Sequence, residues 1–465
     1  MTAPQPVASI WDRSRIWVTT GAVALIFLAA IEALAVTTVM PIVSAALDGG
    51  ALYAVAFSGT LATGVIGMVA SGAWSDARGP RGALYVAVGL FLAGLLISGF
   101  AVTMHQFLLG RLVQGLGAGG QTVALYVVVA RLYPPHLHGR IFAAFAAAWV
   151  VPSMVGPFLA GAVAEHIDWR WTFLGVAVLT AIAFATIAVR LRGVDLGHGE
   201  PQDRRVIATR LALSVVVAVL AVVVGFSADM TAAVRWPVAV GAVLVIAIAI
   251  RPLLPKRTLR AGAGLPSVVL MRGIVAGAFF AAEAYIPYLL MERFGFSATW
   301  AGVALMFAAL AWAAASALQG RYGERLGNHR ITTISLALLF TALACVLAAA
   351  ALDVSPVVIV VGWGLAGGGM GLLYPRLTVL TLAYSDERNQ GFNSSALSIS
   401  DSTGSAVTIA LAGLAVATLG GGVAAFWVVF VICLALVVVA ALPGLRLGHA
   451  AESPASGATA GAPRA

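Results

Sequence analysis

Apolar runs of about 18 or more residues recur from residue 17 to residue 443, and no other feature restricts what this chain can fold into as tightly. A run of that length crosses the roughly 30 Å hydrocarbon core of a bilayer as a helix. A helix also satisfies its own backbone N–H and C=O groups, which lipid cannot do. The runs therefore predict an all-α polytopic membrane protein. Composition agrees, with 10% charged residues where a soluble domain carries roughly 25%.

Hydropathy places helices at 17–45, 53–74, 82–102, 106–130, 140–164 and 170–191, a first block of six. The polar stretch RGVDLGHGEPQDRR at 192–205 cannot remain in lipid. A second block of six covers 267–290, 298–318, 331–350, 356–380, 393–417 and 423–443. Two further apolar runs, 211–228 and 236–250, lie between the blocks, and counting both as crossings gives 14 spans. If they lie on the membrane as a hairpin, twelve remain. The expected organisation is an N-terminal six-helix bundle at 1–191, a central linker with two additional transmembrane helices at 192–266, and a C-terminal six-helix bundle at 267–447. The tail at 448–465, rich in Ala, Gly, Ser and Pro, reads as disordered.

The net charge of +9 raises the question of nucleic acid. On this topology about 23 of the 27 Lys and Arg fall in alternate loops and tails on one side, whereas Arg170, Arg235 and Arg293 fall opposite. Such an asymmetry is the positive-inside rule, so both termini are expected in the cytoplasm and no nucleic-acid partner is expected. Arg outnumbers Lys 26 to 1 and Ala and Val are abundant, a bias of GC-rich bacterial genomes, so the expected location is a bacterial cell (inner) membrane. The first apolar stretch is too long for a signal-peptide core and is expected to stay. Cys345 and Cys433 sit inside apolar helices as small hydrophobes. No Walker A loop, His-Glu-x-x-His or clustered metal ligands occur, so neither an enzyme nor a metal or other cofactor is expected.

The blocks repeat each other. GAWSDARGPR at 72–81 and GRYGERLGNH at 320–329 share Gly, three residues, an acid, two residues, Gly, at an offset of 248. GLGAGG at 115–120 and GLAGGG at 364–369 match at 249. Parallel six-helix repeats are a transporter architecture with the substrate site near the membrane midplane. Glycines permit tight turns at the loops, and an acid there can face a helix N-terminus.

At these residues the chain resembles the major facilitator superfamily. The resemblance implies that Gly72, Asp76, Gly79 and Arg81, with Gly320, Glu324 and Gly327 in the repeat, form a gating motif holding the cytoplasmic ends of the halves together; a solvated charged turn is the plainer reading. LGRLVQGLGAGG at 109–120 is similar to the family's helix-four motif, which implies proton transfer through Arg111. Arg111, Gln114 and Gln121 share one helical face, expected to line the cavity, with Val360 at the aligned position of the other half. An Arg snorkelling to the interface is the alternative. PSMVGPFLAG at 152–161 resembles the helix-five antiporter motif through Gly156, Pro157 and Gly161, with Pro152 and Ala160 departing from it. Tight packing alone would also use those residues. WRWTF at 169–173 reads as an interfacial anchor.

Three acids fall inside apolar helices: Glu32 in IFLAAIEALAVTTVMP, Glu283 in FFAAEAYIPY, and Asp401. An acid at a helix centre costs about 2.5–3.5 kcal/mol on insertion scales. The resemblance places Glu32 and Glu283 across a central cavity, where proton and substrate can compete for a carboxylate. Interhelical hydrogen bonding is the rival role, and Thr37 and Thr38 stand near Glu32 as polar partners. The reading as a whole is a monomeric, proton-coupled efflux transporter resembling the 14-span drug:proton antiporters, exporting small hydrophobic or cationic compounds by alternating access among membrane lipids. A lipid or lipid-precursor exporter or flippase, and a solute importer, remain alternatives.

Overall fold

The structure, a computed structural model, describes residues 12, 15–192, 194, 196–197, 203–352, 354–385 and 389–447. The tail at 448–465, expected to be disordered, and part of the 192–205 loop lie outside the described residues.

The described chain is all helical. α1 (Ile16–Ala46), α2 (Tyr53–Arg78), α3 (Pro80–Gly99), α4 (Met104–Leu132), α5 (Pro135–Val163) and α6 (Trp171–Leu191) form the first block. α7 (Arg204–Phe226) and α8 (Ala232–Ala249) follow, then α9 (Leu265–Phe294), α10 (Ala298–Ala351), α11 (Val357–Ala383), α12 (Gln390–Thr418) and α13 (Trp427–Leu447). Among the described residues 13 helices are long and apolar enough to cross a membrane, where the sequence predicts 14. The difference lies in α10, whose 54 residues make about 80 Å at 1.5 Å per residue. That is more than twice a hydrocarbon core. Its helix breaks at Gly327, with φ 73° and ψ 163°. The loop expected at 320–329 is thus helical except at that glycine.

Gly79 ends α2 with φ 84° and ψ 156°, nearly the same conformation as Gly327 248 residues later. Only glycine adopts this region without strain. The duplication is therefore visible in the backbone and not only in letters.

Helix packing corrects the register of the second repeat. A Cβ on Gly115 would run into Thr60 and one on Gly119 into Gly64, so α4 lies directly on α2. In the other half Gly367 meets Ala308 and Gly371 meets Trp312, positions 248 beyond Thr60 and Gly64. Gly117 against Ala87 and Phe91, and Gly369 against Ser335 and Leu339, agree. The α4-to-α11 offset is thus 252, three more than the letters indicate, because the arm of α10 beyond Gly327 runs four residues longer than α3. The counterpart of Arg111 becomes Trp363 in place of Val360.

The ends of the helices that carry the basic loops are called the basic side below, the opposite ends the far side. α7 packs against α2 and α12, one helix from each half, and α8 packs on α7. Trp169, 5% exposed, packs edge-on to Phe107 and Phe173, so the expected interfacial anchor is a core contact. Trp171, 53% exposed, is the outward-facing ring of that stretch.

Candidate transport site

Glu32 lies midway along α1, and its carboxylate accepts from Arg111 of α4 in a salt bridge enclosed on all sides. Each residue is 4% exposed. The same Arg111 Nη1 donates to Gln114 Oε1 at 2.8 Å, and its Nε donates to the Ala56 carbonyl of α2 at 3.3 Å. Arg111 therefore does not snorkel. It binds inward, tying α1, α2 and α4 through one guanidinium. Thr37 and Thr38 take no part: Thr37 donates to the Leu34 carbonyl at 2.7 Å, and the buried Thr38 hydroxyl has no partner.

The helical face that carries Arg111 is buried along its length. Gln114 and Gln121 are both 0% exposed, so in this conformation neither lines an open cavity. Gln121 Nε2 donates to the Leu25 carbonyl of α1 at 3.1 Å, while its Oε1 and the Nε2 of Gln114 are unpartnered. An unpaired buried amide group costs about 1–3 kcal/mol. These side chains form a polar seam between α1 and α4 that holds spare hydrogen-bonding capacity beside the ion pair.

The second half differs. Glu283 of α9 is 8% exposed, and among the described residues its carboxylate forms no hydrogen bond or ion pair. Tyr374 of α11 gathers Asp401 and Arg272 around it. Tyr374 donates to Asp401 Oδ1 at 2.7 Å, and Arg272 Nε lies 3.4 Å from the same oxygen. The Arg272 guanidinium also sits 3.4 Å above the Tyr374 ring. Arg272 is seven residues inside α9. Aromatic rings adjoin this cluster: Trp312 against Tyr374 and Phe279, and Trp363 stacked on Phe279 at 4.7 Å. Trp363 is 1% exposed and its Nε1 has no partner.

The two halves meet on the far side. Tyr53 of α2 donates to the Ala284 carbonyl of α9 at 2.5 Å, and its ring touches Tyr285 and Tyr288. Glu165, just beyond α5, accepts from Thr299 N at 3.2 Å and Thr299 Oγ1 at 2.7 Å, and so caps α10 from the other half. The glycines between them let the backbones touch. A Cβ on Gly161 would fall 2.5 Å from the Ala298 carbonyl, and one on Gly302 would fall 2.9 Å from Phe158 N. Gly156, by contrast, has only ordinary contacts with α1. Pro157, inside α5, places its carbonyl opposite Gly302.

On the basic side Asp76 lies within electrostatic reach of the Arg131 guanidinium of its own half. Arg131 also holds the Ser75 and Gly197 carbonyls, and Arg81 donates to Leu191 O at 3.3 Å. Asn393, near the start of α12, donates to Ser385 Oγ at 2.9 Å and Asn389 Oδ1 at 3.1 Å. In the repeat, Glu324 is exposed and a Cβ on Gly320 would meet open space.

A model of the major facilitator superfamily matches residues 22–361. The chain belongs to the major facilitator superfamily. Its members are transporters of small molecules and not enzymes. It is 31% identical to MFS transporter L2 of Phoma sp. over 178 residues, 38% of this chain and 29% of that one. It is 35% identical to the MFS efflux transporter aclA of Aspergillus oryzae over 148 residues, 32% of this chain and 27% of that one. The chain thus aligns with about a quarter to a third of the length of these relatives. Among solved structures, an auto-inhibited POT family peptide transporter superposes with a TM-score of 0.66 at 17% identity, covering 92% of this chain and 96% of that one. An inward-facing, unoccupied bacterial homologue of the human lysosomal transporter Spinster superposes at 0.63 and 16%, covering 94% and 97%. These likenesses bear on the fold alone.

Proposed function

We propose that this major facilitator protein is a proton-coupled exporter of small hydrophobic or cationic compounds, working by alternating access across fourteen crossings with the basic side in the cytoplasm. Counting the two arms of α10 separately supports the fourteen. The observation that carries the coupling is the enclosed Glu32–Arg111 pair. A buried ion pair is held at the cost of desolvating both charges, and loss of either charge upsets it. Protonation of Glu32 neutralises the carboxylate and releases Arg111 toward Gln114 and the Ala56 carbonyl, which already accept from it. Deprotonation restores the pair. The helix contacts that Arg111 ties together thus differ between the two protonation states, which is what coupling requires.

The far-side contacts of Tyr53, Glu165 and Gly161 support assigning this conformation to the inward-facing half of the cycle. Glu283, a buried carboxylate one helical turn from Phe279, whose ring packs against Trp312 and Trp363, fits a cation held by charge and by ring faces. Relatives named as efflux transporters support the direction. The test is transport by purified protein in liposomes, with lipophilic cations and uncharged analogues on one side and an imposed pH gradient. Gradient-driven accumulation that collapses with a protonophore is expected. Lipid flipping without such accumulation would overturn the reading in favour of a flippase.

A further inference from the structure

The segment joining α8 to α9 folds back on itself at the basic side. Arg251, Leu254, Pro255, Lys256, Arg257 and Arg260 are among the residues lining a pocket of about 280 Å³ there. The volume approaches the roughly 300–1,000 Å³ of small-molecule sites. Four of its lining residues are cations, all exposed, and among the described residues none forms a salt bridge. Between Asp229 and Glu283 the sequence has no Asp or Glu to balance them.

The pocket is built and not merely a charged turn. Leu253 and Leu254 are 2% and 5% exposed and anchor the segment to the helices. Arg257 adopts φ 68° and Ala261 φ 49°, a left-handed backbone that non-glycine residues rarely take. Thr258 is buried and donates to the Pro255 carbonyl at 2.7 Å. Arg446, at the foot of α13, donates to the Arg260 carbonyl at 3.0 Å and to the Ala261 carbonyl, pinning the segment from the other end of the C-terminal half.

Membrane-facing surface leads into it. On α8, Val240, Leu244 and Ile248 are 52%, 60% and 60% exposed, while Ala239, Ala242, Ile246 and Ala249 turn inward. Spacing of four residues puts the three on one stripe about 12 Å long at 1.5 Å per residue. Three residues beyond Ile248 stands Arg251, the first cation of the pocket. Leu259, 41% exposed, adds an apolar edge at the rim. An acyl chain lying along this stripe would carry its headgroup to the four cations.

We propose that the 251–260 pocket binds the phosphate-bearing headgroup of an anionic phospholipid, with one acyl chain along the Val240–Leu244–Ile248 stripe. Basic pockets at the cytoplasmic ends of transmembrane helices recognise such headgroups. The lipid would tie α8 to the entry of α9 and the foot of α13.

Native mass spectrometry of the full-length protein in detergent, titrated with phosphatidylglycerol, phosphatidylcholine, inorganic phosphate or glycerol phosphate, tests this. Wild type should retain phosphatidylglycerol preferentially. Combined Arg251→Gln, Lys256→Gln, Arg257→Gly and Arg260→Gln should lower its apparent affinity roughly tenfold or more. Arg204→Gln with Arg205→Gln and Arg210→Gln, three cations at the basic end of α7, should leave it unchanged. Arg257→Gly alone, which suits the left-handed backbone, should give a partial loss with an unchanged melting temperature in phosphatidylcholine, and it decides the matter if the combined variant misfolds. Equal loss in the α7 variant, no preference for phosphatidylglycerol in wild type, or displacement of the lipid by equimolar phosphate or glycerol phosphate would each overturn the proposal, the last in favour of a soluble-anion site.

Discussion

Removing one charge of the Glu32–Arg111 pair should destabilise the fold more than removing both. Glu32→Gln leaves the Arg111 guanidinium at 4% exposure with Gln114 Oε1 and the Ala56 carbonyl as acceptors but no counter-charge. Breaking a buried pair from one side costs about 3–5 kcal/mol. The two neutral acceptors that remain favour the low end, about 3 kcal/mol, or roughly a 150-fold change in the ratio of folded to unfolded protein. Arg111→Met strands Glu32 in the same way and should cost at least as much, because Thr37 and Thr38 offer the carboxylate nothing. Replacing both, as Glu32→Gln with Arg111→Met, removes both desolvated charges and should fall within about 1 kcal/mol of wild type. Equilibrium unfolding in mixed detergent micelles, followed by tryptophan fluorescence, closes the cycle. If the double variant loses the sum of the single losses, the two residues are not coupled and the ion pair is not what holds α1 to α4.

Other features give separate tests. Gly327→Ala and Gly79→Ala should each destabilise by about 1–3 kcal/mol, because both need a backbone region open only to glycine, whereas Gly320→Ala, with open space around it, should not; melting temperatures compare the three. Tyr53→Phe deletes the O–H donated to the Ala284 carbonyl and should shift the conformational balance away from far-side closure by about 0.5–1.5 kcal/mol, read as spin-label distances across the far side. Gly161→Leu cannot fit beside the Ala298 carbonyl, so the same labels should report a far side held open, and an unchanged distribution would refute the seam. A cysteine at residue 231, just before α8, should react with an impermeant thiol reagent in intact cells once Cys345 and Cys433 are removed; failure to react in a well-expressed protein would contradict fourteen crossings.

Much of the architecture was legible because a bilayer leaves a chain few options. Length and hydropathy alone place α1 within one residue at each end, and the glycine motifs locate the duplication. The pattern fails where contact decides. A three-residue error in the α11 register hid Trp363 behind Val360, since glycine-rich strings match at several offsets and only the facing backbones of Ala308 and Trp312 choose among them. The polar face of Arg111, Gln114 and Gln121 was correctly grouped but pointed at the wrong neighbour: it is buried against α1 in this state and does not line an open cavity. The pairing of residues 32 and 111 spans 79 positions, and no local rule links them. Arg272 and Glu165 take no part in the sequence reading, although a basic residue two turns inside an apolar helix is a signal available from the letters.

The central claim is that Glu32 exchanges the proton that drives transport, against Arg111 as its fixed partner. It is tested most directly by proton release from purified protein. In weakly buffered detergent solution, adding a transported lipophilic cation to wild type should release protons in a substrate-saturable manner, recorded by a pH-sensitive dye. In Glu32→Gln that release should vanish while binding of the same cation, measured separately by fluorescence or calorimetry, persists. Undiminished, saturable proton release from folded Glu32→Gln would contradict the account and move the coupling site to Glu283 or Asp401.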